Sequence, residues 1–140
     1  MRAAIVHDCI DAPALLREVA ASSNGATVLF TGSVRELSEG RAVSGIDYDA
    51  YEAMAREELT RIVNEACERF ATTHVVAEHR IGSLELGEVS VAIAAGHPRR
   101  AGAFDAARFV IEEIKLRLPV WKQERFVDGT REWVDARIAG

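Results

Sequence analysis

Three stretches of helical period in this chain are separated by short runs of β period, and that alternation limits the possible folds more than any other feature. Ala3 to His7 reads as a strand. Asp11 and Pro13 supply a cap and a first turn for a helix carrying Leu15, Leu16, Val19 and Ala20, and Asn24-Gly25 ends it. Ala26 to Val34 is rich in β-formers. From Val43 to Glu52, Ile46, Tyr48 and Ala50 alternate with Asp47, Asp49 and Tyr51, the period of a half-buried strand. A second helix follows with Ala55, Leu59, Ile62, Val63, Ala66 and Phe70 on one stripe. His74 to Ile81 and Glu88 to Ala95 read as two strands joined through Gly82 and Gly87. A glycine-containing loop, Asp128-Gly129-Thr130, separates Arg125-Phe126-Val127 from Glu132-Trp133-Val134 in a C-terminal hairpin pattern. The order is βαββαββαββ. Strands joined this closely pair as hairpins, which favours a two-layer α+β fold over a doubly wound parallel sheet. The expected architecture is a mainly antiparallel sheet, three main helices and a C-terminal β-hairpin. The 140 residues suffice for one domain, 1–140.

The third helix carries the best clue to chemistry. Phe104, Ala107, Ile111, Ile114 and Leu118 form one apolar stripe, and Pro119 cannot continue it. Lys115 falls on the rim of that stripe and Lys122 lies just past the break, so two amines meet at one structural discontinuity. Partial desolvation and a neighbouring cation both lower an amine's pKa, and both favour a neutral base or nucleophile. The plainer alternative is that basic residues in a last turn complement the helix dipole. Phe109 projects opposite the stripe and is expected to be exposed in a monomer.

Composition narrows the class. No apolar run reaches the length of a membrane helix, and the first residues read as a strand instead of a leader, so a cytoplasmic protein without membrane association is expected. Cys9 and Cys67 are isolated, which leaves a zinc site or redox pair unsupported, and Cys67 falls within the second helix as packing. Gly-x-Gly-x-x-Gly, Gly-Lys-Ser/Thr and Gly-x-Ser-x-Gly loops are absent. The net charge is -5, yet His97 to Arg125 holds seven basic residues against four acidic ones. A locally basic segment in an acidic protein suits a small anionic ligand or an acidic partner better than a nucleic-acid backbone.

Three segments can converge on such a ligand. Thr31-Gly32-Ser33-Val34-Arg35 ends a strand with backbone amides and a guanidinium, although Arg35 can instead pair with Glu36 or Glu39. His97 to Arg100 precedes a helix whose N-terminus favours anions. The lysines lie at the opposite end of that helix, roughly 25 Å away at 1.5 Å per residue. A second chain or a returning loop must bridge that gap if both ends serve one pocket, which makes an oligomer the economical solution.

Phe30-Thr31-Gly32-Ser33-Val34-Arg35, His79-Arg80-Ile81-Gly82, the His97 to Arg100 loop leading to Ala103-Phe104-Asp105-Ala106, and Lys115-x-x-x-Pro119-x-Trp121-Lys122-x-Glu124 together resemble the catalytic (large) subunit of molybdopterin synthase. Order and spacing match over nearly the whole chain, with Trp133-Val134-Asp135-Ala136 similar to the family's C-terminal hairpin. The resemblance implies a sulfurtransferase that converts cyclic pyranopterin monophosphate to molybdopterin in molybdenum cofactor biosynthesis. The sulfur would come from the C-terminal thiocarboxylate of a small ubiquitin-like carrier subunit, with a central homodimer of large subunits bearing a carrier at each end. It implies catalytic roles for Lys115 and Lys122, and substrate-binding roles for Arg35, His97, Arg99 or Arg100, and Arg137. His97-Pro98-Arg99-Arg100 is longer than the family's His-Arg form, so both arginines stand as candidates. No metal or cofactor is implied.

Overall fold

The structure, a computed structural model, describes residues 1–135. Arg137 lies outside them. Nine strands and three helices are found among these residues: β1 (Arg2–Val6), α1 (Ala12–Val19), β2 (Ala26–Ser33), β3 (Leu37–Ser38), β4 (Arg41–Ala50), α2 (Glu52–Phe70), β5 (Val75–Arg80), β6 (Gly82–Glu85), β7 (Val89–His97), α3 (Arg100–Arg117), β8 (Val120–Phe126) and β9 (Arg131–Asp135). The class is α+β, as the sequence implied. One sheet runs β1-β5-β7-β2, and only its β1–β5 pair is parallel among the described residues. The other runs β3-β4-β8-β9, and β6 adds to β4. The short β3 and β6 were not expected. Two and four residues give too little period to read.

Helices α2 and α3 pack on one face of the first sheet, burying Leu59, Ile62, Val63, Val75, Ile93, Val110 and Ile114 together. Helix α1 covers the other face with Leu15 and Val19 against Val76, Ala92 and Ala94. Strand β7 is therefore buried on both sides, which accounts for its unbroken run of apolar residues. Asp11 caps α1 by accepting from the Ala14 amide at 3.2 Å, and Pro13 occupies the first turn. The second sheet has its own core of Val34, Val43, Ile46, Leu84 and Phe126.

The buried face of α3 differs from the expected stripe. Ala103, Ala106, Ala107, Val110 and Ile114 are buried, whereas Phe104 is 61% exposed. The larger side chains suggested the wrong edge of the stripe. Alanines let α3 approach the sheet and α2 closely, and close approach decides which face turns inward. Phe109, expected to be exposed, is half-buried and meets Phe70 at 5.9 Å in a near-perpendicular ring contact. Cys67 is buried in α2 as packing.

Gly25 fixes the start of β2 against the entrance to α3. Its amide donates to the His97 carbonyl at 3.0 Å, and a Cβ added there would collide with the Pro98 carbonyl oxygen. Backbone cannot yield as a flexible side chain does, so Gly25→Ala is expected to destabilise the protein by about 1–3 kcal/mol. Denaturant unfolding of the two proteins side by side measures this.

Candidate active site

Pro119 ends α3 as anticipated. Leu118 is extended (φ -73°, ψ 124°) and β8 begins immediately after, at Val120. This abrupt change from helix to strand brings the two lysines together. Lys115 projects from the last turn of α3, while Lys122 lies on β8 opposite Tyr48 of β4. Both line a cleft of about 480 Å³ with Arg35, Tyr48, Ser90 and Glu124. The cleft is lined by β2 and β7 of the first sheet and by β4 and β8 of the second, and Arg35 follows the end of β2.

The electrostatics of the two lysines are unequal. Burial pushes the Lys115 amine below its ordinary pKa, and the charges of Lys122 and then Arg35 push it the same way. Lys122 has a counter-ion instead: its Nζ lies 3.3 Å from Glu124 Oε1, with both side chains largely buried. Arg35 is exposed and forms no ion pair among the described residues, so it is not consumed by Glu36 or Glu39. The cleft thus offers one desolvated amine without a carboxylate, one ammonium held by a carboxylate, and one guanidinium open to an anion. Such an arrangement can bind negative charge and supply an amine able to take a proton or attack a carbonyl.

Glu124 and Tyr48 line the cleft without having been singled out as site residues. Glu124 occurs in the sequence as the end of the Lys122-x-Glu124 pattern, and strand alternation places residues two apart on one face. That signal was available. Tyr48 was legible only as a strand residue, because nothing local shows that it registers with Lys122. Burial raises the Tyr48 phenol above its ordinary range, with Ser90 as its hydrogen-bond partner.

His97, Arg99 and Arg100 do not reach this cleft within the chain. His97 ends β7, at the far end of the 18-residue α3. Its Nε2 lies 2.8 Å from the Phe70 carbonyl and its Nδ1 accepts from the Arg99 amide at 2.9 Å. A carbonyl only accepts, so Nε2 carries the ring proton and both nitrogens are engaged. The ring packs over Gly102, where a Cβ would collide with it. Arg99 and Arg100 are exposed.

A family model described as MoaE protein matches residues 5–117, from the first strand to the last turn of α3. The chain belongs to the MoaE family. Relatives agree across its length. A molybdopterin synthase catalytic subunit of Halalkalibacterium halodurans is 39% identical over 137 residues, covering 98% of this chain and 87% of that protein. One of Emericella nidulans is 39% identical over 122 residues, 87% of this chain, and the chain spans 63% of that protein's length. The crystal structure of a molybdopterin synthase from Staphylococcus aureus superposes with a TM-score of 0.87 at 35% identity, covering 93% of this chain and 94% of that one. No helix among the described residues of this MoaE-family chain is long and apolar enough to cross a membrane.

Proposed function

We propose that this chain is the catalytic subunit of a cytoplasmic molybdopterin synthase, inserting the dithiolene sulfurs of molybdopterin into cyclic pyranopterin monophosphate. The observation that carries the reading is the desolvated Lys115 amine beside Lys122 and Arg35 in one cleft of a MoaE-family chain. Both substrates suit that cleft. The pterin brings a phosphate and the sulfur donor a thiocarboxylate, and Arg35 can neutralise and orient either anion. The donor is the C-terminal tail of a small ubiquitin-like carrier subunit, and the relatives' description as catalytic subunits fits a shared assembly. Lys115 acts on the thiocarboxylate as base or nucleophile. Lys122, held by Glu124, stabilises the negative charge that develops.

The remaining candidates enter the reading through a second copy of the chain. Strand β2 is an edge of its sheet, and beside it Val28, Phe30, Phe104 and Ile111 line an open groove of about 690 Å³. Two copies apposed there with antiparallel α3 helices would bring one copy's His97, Arg99 and Arg100 toward the other's Lys115. Phe104, 61% exposed beside this groove, supplies an apolar contact for that apposition. Arg137 is proposed to serve the same pocket, and a heterotetramer results when each large subunit holds a carrier. Phe104→Asp is expected to convert the dimer to monomers and depress turnover at least tenfold, since an unpaired charge must then be desolvated at the interface. Sedimentation velocity at matched concentrations reads the first effect.

The test of the function is a single-turnover reaction of the purified chain with cyclic pyranopterin monophosphate and a thiocarboxylated carrier, with molybdopterin detected as its fluorescent oxidised derivative. Product formation is expected. Absence of product with the carrier demonstrably bound would refute the proposal and favour an anionic-metabolite sensor built on the same fold.

A further inference from the structure

Two hydroxyls in the wall of the cleft have no part in the chemistry described so far. One arrives there through a bulge in β7. Gly32 of β2 pairs with Val91 and Ser33 with Val89, so Ser90 is an extra residue with no partner on β2. Regular alternation would send Ser90 and Val91 to opposite faces, yet both line the Lys115 cleft. The bulge re-aims the serine. Ser90 is 6% exposed, and its Oγ donates to the Gly32 carbonyl at 3.2 Å.

The other hydroxyl belongs to Tyr48, which stands opposite Lys122 where β4 meets β8. Its ring meets buried His79 edge-on at 5.4 Å and 78°, a contact that fixes the ring against the wall. The phenol is protonated and has Ser90 as its hydrogen-bond partner. A carbonyl only accepts, so the single proton of Ser90 is spent on Gly32 and the phenol donates to Ser90. Both protons are consumed within the wall. The two oxygens therefore offer the cleft lone pairs, without charge, beside the cationic groups of Arg35, Lys115 and Lys122.

We propose that Tyr48 and Ser90 determine specificity for the pterin: their oxygens accept hydrogen bonds from N–H groups of its ring, while the cationic side of the cleft takes its phosphate. The inference rests on the reading of this cleft as the pterin site. Cations neutralise a phosphate or a thiocarboxylate, but they do not tell one phosphorylated ring from another. Acceptors do. A reduced pterin presents several N–H donors, and a site built to pair them discriminates against a molecule that lacks them.

The experiment is titration calorimetry of the full-length protein with cyclic pyranopterin monophosphate, repeated with inorganic phosphate as a competitor. Tyr48→Phe keeps the ring and its contact with His79 and removes only the oxygen. It should weaken pterin binding about tenfold and leave the inhibition constant of phosphate at the parent value. Ser90→Ala should act in the same direction, because it removes one acceptor and releases the phenol proton toward the cleft. Side chains that only fill space would change the melting temperature on replacement and leave both constants alone. That result in the folded variants overturns the inference, and Tyr48→Phe decides it if Ser90→Ala does not fold. An equal loss of affinity for pterin and phosphate would mark a distorted cleft and overturn it too, as would a parent protein that does not bind the pterin. Binding is read without turnover, so failure of the sulfurtransferase reading would show separately, as a parent protein that binds the pterin and forms no product.

Discussion

Lys115→Ala should abolish sulfur transfer in the single-turnover reaction while leaving the fold and carrier binding close to the parent protein. Loss of a positioned acid or base costs about 10²–10⁴-fold, and loss of a nucleophile that forms a covalent intermediate costs more. The side chain is half-buried at the end of α3 and forms no ion pair among the described residues, so its removal leaves no orphaned charge. Lys115→Arg should fail as completely, because a guanidinium does not give up its proton and cannot act as an amine. That second variant separates catalysis from electrostatic binding. A scaffold for an acidic partner, or a sensor of an anionic metabolite, would tolerate arginine at this position. Near-normal product from either variant would remove Lys115 from the mechanism.

Acid should weaken this protein well above the range in which its carboxylates protonate. An unfolded chain binds a proton at His79 near its ordinary pKa of 6.5, whereas the folded chain refuses it until about 4. The neutral form is the one the fold accepts. Its contribution is complete above pH 6.5, declines as the pH falls toward 4 and then levels off, a loss of about 3 kcal/mol across that window. The Arg80 pairing holds Glu88 down to about 2, so the stability that Glu88 contributes is lost only below its unfolded value of about 4.5. The two windows therefore overlap only between about pH 4 and 4.5. Unfolding measured by denaturant at pH 7.0, 5.5 and 4.0 should show the decline, and His79→Gln should remove most of it. A parent protein equally stable at pH 7.0 and 4.0 would show that His79 protonates without cost.

The order of the main elements was legible because periodicity needs only the chain. Ile46, Tyr48 and Ala50 alternate with acidic residues in β4, and the stripe from Ala55 to Ala66 in α2 is buried as read. Helix α3 was legible in extent and in its stop at Pro119, but its inward face was not. Phe104 and Ala103 compete for the same side of the helix, and the contest is decided by how closely α2 and β7 approach, a property of the packed protein. The candidate site divides in the same way. Lys115, Lys122 and Arg35 were readable from a helix break and a strand end, and the fold gathers them in one cleft. His97, Arg99 and Arg100 were readable as an anion-binding pattern, yet α3 holds them a helix length away from the lysines.

The sequence by itself determined the alternation of helices and strands, the break that presents two lysines, and the family to which the chain belongs. These are written in periods, breakers and spacings along one dimension. Only the tertiary structure decided that Glu124 would hold Lys122 while Lys115 went without a carboxylate, and that Tyr48 and His79 would stand behind them. Desolvation and pairing depend on which strand lies against which, and that registry is set by β4 meeting β8 across the 69 residues between them.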